Sequence, residues 1–408
     1  MGSMTDLVVY NAAELATPTE NDPLETTANG AVAIDDGIVV ATGSTDEVTR
    51  VYPPENAANS IDATGQTILP GFVDPHTHAV FGGTRADEFT AKLEGASYQE
   101  LLEDGGGILR TVRSTREASR EQLVETLVAQ LDVMLAHGTT TAEVKSGYGL
   151  DIETELKLLE AIAIADERHP IDVVPTFMGA HAVPEGMAAD DYVDRVVEDQ
   201  LPAVADAGLA EFCDVFCEAG VFSVAQSRRV LEAGQEAGLS AKIHAEEFER
   251  LGGSQLAASL DATSADHLLQ ATDDDIEALG DAGVTPVLLP GTAFSLGAEY
   301  ADAAAFEAAD VPVAIATDFN PNCYSQSMEF AIDLACNGMR MGPAAAIRSA
   351  TSTAAAAIDR TDGTGTLCEG APGDLVVANV ADHQHLPYNF GVSTVQTVVK
   401  DGEVVHRE

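Results

Sequence analysis

Leu69-Pro-Gly-Phe-Val-Asp-Pro-His-Thr-His78 sets two imidazoles one residue apart at the end of a short β-branched run. Residues i and i+2 of a strand project to one face, so His76 and His78 can aim at the same ion. The Gly and the two prolines around them keep the run from continuing as a helix. His181, His244, His267, Glu247 and Asp318 also stand at or just past the ends of short apolar runs. Five of the ten histidines (His76, His78, His181, His244, His267) therefore belong to one candidate rim. His76, His78 and His244 with Asp318 form a minimal ligand set for one divalent metal ion, Zn or Fe, with a position left for water. Such an ion lowers the pKa of a bound water toward about 7, which makes hydrolysis the expected chemistry. Asp318 can both touch the metal and accept the water's proton. Glu247, three residues beyond His244, can pass a proton to a leaving nitrogen, and His267 can polarise the carbonyl under attack.

These residues need a scaffold that gathers them, and the apolar pattern provides one. Eight short runs, 71–74, 140–145, 173–178, 212–216, 241–244, 264–268, 285–289 and 313–317, alternate with Ala- and Glu-rich helical segments such as 120–137, 152–168, 224–237 and 273–282. That alternation predicts an α/β fold, a (β/α)8 TIM barrel whose chemistry lies at the C-terminal ends of its strands. An open doubly wound sheet more usually carries a glycine-rich phosphate loop after its first strand, and none is present. Gly105-Gly-Gly107, within the 81–110 loop, is read as a hinge or lid. Both ends of the chain carry short strands with Asp-Gly turns at Asp36-Gly37 and Asp401-Gly402. Neither end can close a core alone, so 1–66 and 371–408 are expected to form one composite β-sandwich, leaving 67–370 as the catalytic barrel.

The 408 residues include 67 acidic and 20 basic side chains, a formal charge of −47. That balance excludes a binder of the nucleic-acid backbone, which needs a basic face. Only five of the cations are lysines (Lys92, Lys145, Lys157, Lys242, Lys400), and the acids are spread over helix surfaces. Scattered acidity of this kind suits molar salt, where the Debye length shrinks to about 3 Å and self-repulsion is screened. A halophilic, cytoplasmic protein is the expectation. Five cysteines without zinc-ribbon spacing fit a reducing compartment, and Cys213 and Cys217 read as small buried apolar residues. No signal-peptide pattern and no run of membrane-spanning length is evident, so no membrane partner is expected.

The His-x-His run, the later histidines and Asp318 together resemble the amidohydrolase superfamily. The resemblance implies a barrel with a split β-sandwich, and it implies His76, His78, His244 and Asp318 as metal ligands. In binuclear members a lysine on the fourth strand bridges two metals. Here that strand ends in Cys217-Glu218 and Lys145 lies on the second, which points to a single ion. Longer matches are more specific: Phe81-Gly-Gly-Thr-Arg85, Glu143-Val-Lys-Ser-Gly-Tyr-Gly149, Thr176-Phe-Met-Gly-Ala-His-Ala-Val-Pro184, Lys242-Ile-His-Ala-Glu246, Ala265-Asp-His-Leu268, Thr317-Asp-Phe-Asn-Pro321 and Pro387-Tyr-Asn-Phe-Gly391. They are similar to the ring-opening hydrolases of histidine degradation, whose small anionic heterocyclic substrate is 4-imidazolone-5-propanoate and whose product is N-formimidoyl-L-glutamate. By that resemblance Arg85, Tyr148, His181 and Glu247 bind substrate. Asn320 and the pair Asn322 and Cys323 lie close by, and this last pair departs from the Gly and Ser or Thr of many members. A homodimer is also implied. The substrate's carboxylate must overcome an anionic protein field, and Arg85 can offer it a bidentate fork. Tyr98 is a second candidate for the same carboxylate, and the Lys145–Tyr148 segment is read as favouring an acidic substrate.

Overall fold

Short apolar runs that are buried on both faces can be satisfied only by parallel pairing beneath a layer of helices. In the computed structural model, which describes residues 5–19, 22–95 and 106–408, eight such strands pair in chain order. They are Phe72–Asp74, Thr139–Lys145, Asp172–Ala180, Phe212–Cys217, Ser240–Ala245, Ser264–His267, Thr285–Leu288 and Ala314–Ile315. Every pairing between them is parallel. The ring closes just beyond the regular strands, where Thr77 bridges to Phe319 in parallel. The Asp318 amide donates to the His76 carbonyl at 3.1 Å, and the His78 amide to the Phe319 carbonyl at 2.9 Å. Residues from the first and last strand ends, far apart in sequence, are thus stitched together by the backbone that carries three of the candidate ligands.

The helices start where their sequences signal. Arg120–Ala136 begins behind Ser119, whose hydroxyl accepts from the Gln122 amide, and Ile152–Arg168 behind Asp151, which accepts from Thr154. Caps of this kind contribute about 1 kcal/mol each. Leu123, Leu127, Leu131 and Met134 give the first of these helices a buried face at helical spacing. The last strand, Ala314–Ile315, is shorter than the expected 313–317 because Thr317 and Asp318 turn out of the ladder. Asp318 itself takes φ +50°, a left-handed backbone that Asp tolerates better than most residues.

The two chain ends meet in a second sheet. Leu7–Thr17, Glu25–Asp35, Ile38–Ser44, Asn59–Asp62 and Thr67–Pro70 join Leu375–Ala378, Val395–Lys400 and Glu403–Arg407 in one eight-stranded, mainly antiparallel sheet. Leu7, Val9, Val32 and Ile34 share a core cluster with Leu375, Val377 and Val399, so the sheet's two halves bury one another. Both Asp-Gly turns have positive φ at both residues, +52° and +75° at Asp36-Gly37, +50° and +78° at Asp401-Gly402. That geometry suits the twist of a tight hairpin. Thr67–Pro70 lies past residue 66 yet pairs here with Leu375–Ala378. A single residue, Gly71, separates it from the first barrel strand. A Cβ on Gly71 would collide with the Thr140 side chain, so only glycine lets the chain pass from one sheet into the other.

Candidate active site

The strand ends bring His76, His78, His244 and Asp318 together in the interior of the barrel mouth, all buried. Nε2 of His76 and Nε2 of His78 lie 3.6 and 3.7 Å from Asp318 Oδ1. His244 Nε2 is 3.3 Å from His78 Nε2. The outer nitrogens of two rings are committed elsewhere: His76 Nδ1 to Asp266 Oδ2 at 2.6 Å and His244 Nδ1 to Asp214 at 3.1 Å. Ionised carboxylates only accept, so each Nδ1 carries the proton and each Nε2 turns a lone pair inward. Burial, reinforced by Lys145 and the neighbouring rings, holds His76 well below its ordinary pKa; burial and His181 do the same to His78. Neutral imidazoles are the form that binds metals.

Whether this set suits an ion can be judged from its unmet needs. One donor nitrogen from each of His76, His78 and His244 lies within 4.8 Å of the others. His76 Nε2 is buried with no hydrogen-bond partner, as is His78 Nδ1. Of these only His76 Nε2 faces the cluster, beside the Nε2 atoms of His78 and His244, and buried acceptors so gathered are costly unless a cation lies among them. The donor set fits a divalent metal.

Asp318 is held rigidly. Its Oδ2 accepts from the Thr292 hydroxyl, and Asn320 Nδ2 donates to Oδ1 at 3.0 Å and to the main-chain carbonyl at 2.7 Å. Asn320 Oδ1 in turn accepts from the amides of Asn322 and Cys323 at 2.7 and 3.0 Å. Asn320 therefore builds the loop that presents Asp318. Asn322 is tied by its Oδ1 to Lys92 Nζ at 2.5 Å, joining this loop to the helix Ala86–Leu93. The structure does not bring the Cys323 thiol to the site. It is buried against the Thr317 carbonyl at 3.6 Å, and burial pushes its pKa up to about 12.

Around the ligands lie the remaining candidates. The His267 ring lies 5.1 Å from that of His244, tilted by 41°, with Nε2 3.8 Å from Glu247 Oε2 and Nδ1 unbonded. Burial, with Asp318 and Glu218 nearby, raises the Glu247 carboxyl well above the ordinary range. His181 stacks on His78, centroids 4.8 Å apart, and its Nδ1 meets the Gly147 carbonyl at 3.1 Å. Burial lowers its pKa to about 3, so the ring is neutral and turns an acceptor Nε2 outward. Tyr148 packs 5.2 Å from His181 on a loop whose amides at Gly147, Gly149 and Leu150 all donate to Glu155. Arg85 is half-buried, and Glu88 Oε2 takes its Nε and Nη2, each at 2.8 Å. One edge of its fork is thereby occupied, which fixes the direction of the rest. Glu88 also accepts from the Gly107 amide at 3.1 Å, linking this arginine to the far end of the 81–110 loop. Tyr98 and Gly105 lie outside the described residues.

Lys145 departs from expectation. It points down into the barrel, with Nζ 2.7 Å from both Glu143 and Asp214, and offers nothing to a substrate. Asp214, Asp266, Glu143 and Thr292 had no assigned role from sequence. Asp214 and Asp266 are carboxylates inside short buried strands, and that is the one signal the sequence offers for them.

The family follows from comparison with known proteins. The chain belongs to the amidohydrolase family, whose model matches residues 67–405. Residues 30–54 match the imidazolonepropionase-like composite domain of bacteria. The chain is 63% identical to an imidazolonepropionase of Haloarcula marismortui over 98% of its own length and 96% of that protein's. It is 62% identical to the imidazolonepropionase of Halobacterium salinarum, with 98% of each chain covered. Among solved structures it is similar to a zinc-bound adenosine deaminase of Xanthomonas campestris, with TM-score 0.75, 19% identity, and 98% and 92% of the two chains covered. At that identity the likeness speaks for the fold alone.

Proposed function

We propose that this chain is an imidazolonepropionase, opening 4-imidazolone-5-propanoate to N-formimidoyl-L-glutamate. The single observation that carries the reading is the convergence of His76, His78, His244 and Asp318, with His76 Nε2 unbonded, beside a Glu247 whose carboxyl pKa burial raises and a directed Arg85. A divalent ion held by those four residues would acidify a water and polarise the ring carbonyl. Arg85 takes the propionate carboxylate on the edge of its guanidinium that Glu88 leaves open. His181 accepts a ring N–H at Nε2, and Tyr148 closes the apolar side of the pocket. His267, neutral and with one unbonded nitrogen, donates to the carbonyl oxygen as charge develops there. Asp318 Oδ1 receives a proton from the attacking water. The water oxygen bonds to the carbonyl carbon, the carbon–nitrogen bond breaks, and Glu247 delivers a proton to the departing nitrogen. Carboxylate and formimidoyl nitrogen leave as the two ends of one product.

Incubating the purified protein separately with 4-imidazolone-5-propanoate and with purine and pyrimidine bases tests this reading. Formation of N-formimidoyl-L-glutamate is expected, and ammonia release from a base would overturn it in favour of a deaminase. Arg85→Ala should raise KM by roughly 30-fold or more, equivalent to about 2 kcal/mol for an unpaired charge, with metal content unchanged. An unaltered KM would remove Arg85 from the carboxylate. We also propose a halophilic, cytoplasmic setting. The charge of −47 supports it, and no helix among the described residues is long and apolar enough to cross a membrane. Thermal melts in KCl are the check: Tm should climb steadily between dilute buffer and about 2 M salt as repulsion is screened. Equal Tm at both ends would sink the proposal.

A further inference from the structure

We propose that Lys145 is the positioning residue of the metal site, one ammonium fixing both of the aspartates that aim His76 and His244. Its side chain is sealed from solvent, with Nζ 2.7 Å from Asp214 Oδ2 and 3.8 Å from Asp266 Oδ2. Asp214 holds His244 Nδ1 at 3.1 Å; Asp266 holds His76 Nδ1 at 2.6 Å. Two chains of contacts, Lys145–Asp214–His244 and Lys145–Asp266–His76, thus diverge from one atom on the second strand and converge again above it. Glu143 anchors the lysine itself: its carboxylate meets Lys145 Nζ at 2.7 Å and Lys242 Nζ at 3.2 Å, and Thr176 donates to it. Lys242 acts on Asp266 as a nearby charge but pairs with neither aspartate: its Nζ meets the carbonyls of Pro75 and Ala357 at 2.9 and 3.2 Å and lies 5.6 Å from the centre of the Phe212 ring.

The arrangement has a physical purpose. A carboxylate behind a ligating histidine sets its tautomer and orientation. Two such carboxylates buried side by side repel, and a cation lying between them offsets that repulsion. A shared ammonium holds both at one spacing, so the two imidazoles are set together.

The inference rests on His76 and His244 being metal ligands, and the two can fail separately. Zinc titration of the metal-stripped parent tests the ligand assignment: less than one tight site per chain would remove it, whatever Lys145 does. With the parent binding zinc, Lys145→Met is expected to weaken zinc by 10- to 100-fold in chelator competition. Its cobalt form should show an altered d–d spectrum. A folded Lys145→Met with the parent's affinity and spectrum overturns the proposal, even if its Tm has dropped, because a merely structural lysine would do that. Lys145→Met leaves a carboxylate without its cation and can fail to fold, so Lys145→Met/Asp214→Asn, which removes one charge of each sign, provides the second test. It should bind zinc about tenfold more weakly than Asp214→Asn alone, through loss of the Asp266 arm. Equal affinity would show that Lys145 does not reach His76 and would overturn the shared role.

Discussion

Asp318→Asn is expected to lower kcat by about 10⁴-fold while the protein melts within a few degrees of the parent. The substitution keeps the shape and the backbone, since Asn also tolerates the left-handed conformation at φ +50°. The Thr292 hydroxyl and the Asn320 amide, both of which now donate to the carboxylate, would face one oxygen and one amide nitrogen instead of two acceptors. What is lost is the negative charge and the basic oxygen 3.6 to 3.7 Å from His76 and His78. Proton acceptance alone is worth roughly 10²- to 10⁴-fold. Weaker hold on a cation adds to that, at tenfold for every 1.36 kcal/mol of barrier. Steady-state kinetics with elemental analysis on the same preparation separate the two contributions. A kcat within tenfold of the parent would mean that Asp318 neither accepts the proton nor holds the ion.

The reach of the sequence differs between parts of the molecule for physical reasons. The strand and helix pattern is carried by local periodicity, and segments such as Ile152–Arg168 and Asp273–Ala282 fall where their apolar spacing and N-caps put them. The ligand set is legible because metal chemistry demands few residue types at strand ends, and the strand periodicity aims them. The buried support is not legible in the same way. Asp214 and Asp266 are short carboxylates inside apolar runs, and only the closed barrel shows that they back His244 and His76. Lys145 looks like a cation for an acidic substrate until the fold turns it inward, toward Glu143 and Asp214. Whether an inward-facing residue of a barrel strand points to the mouth or to the floor depends on its height along the strand. Tyr148, three residues later, already packs beside His78 and His181 in the mouth. The same holds for the terminal sheet: the Asp-Gly turns announce hairpins, but the pairing of Thr67–Pro70 with Leu375–Ala378 joins residues some three hundred positions apart. No local signal encodes that register.

Glu247→Gln should cost about 10²- to 10⁴-fold in kcat with KM little changed, the span expected of a positioned proton donor. Glu247 is nearly enclosed, and burial together with Asp318 and Glu218 raises its carboxyl well above the usual range, so near neutrality it arrives carrying a proton. It stands 3.8 Å from His267 Nε2, too far for a hydrogen bond, which leaves the carboxyl free to reach a departing nitrogen. Gln fills the same volume and can still donate a hydrogen bond, but it has no proton to release. Binding and metal content should therefore persist while bond cleavage slows. Glu246, its neighbour, shows the contrast: it accepts from the amides of Leu251, Gly252 and Ser254 and is spent on the loop. Glu246→Gln should accordingly act on stability first. Single-turnover measurements on Glu247→Gln, followed by product formation and by zinc content, decide the role. A variant that turns over within threefold of the parent would pass the proton transfer to another group, with His267 the nearest candidate.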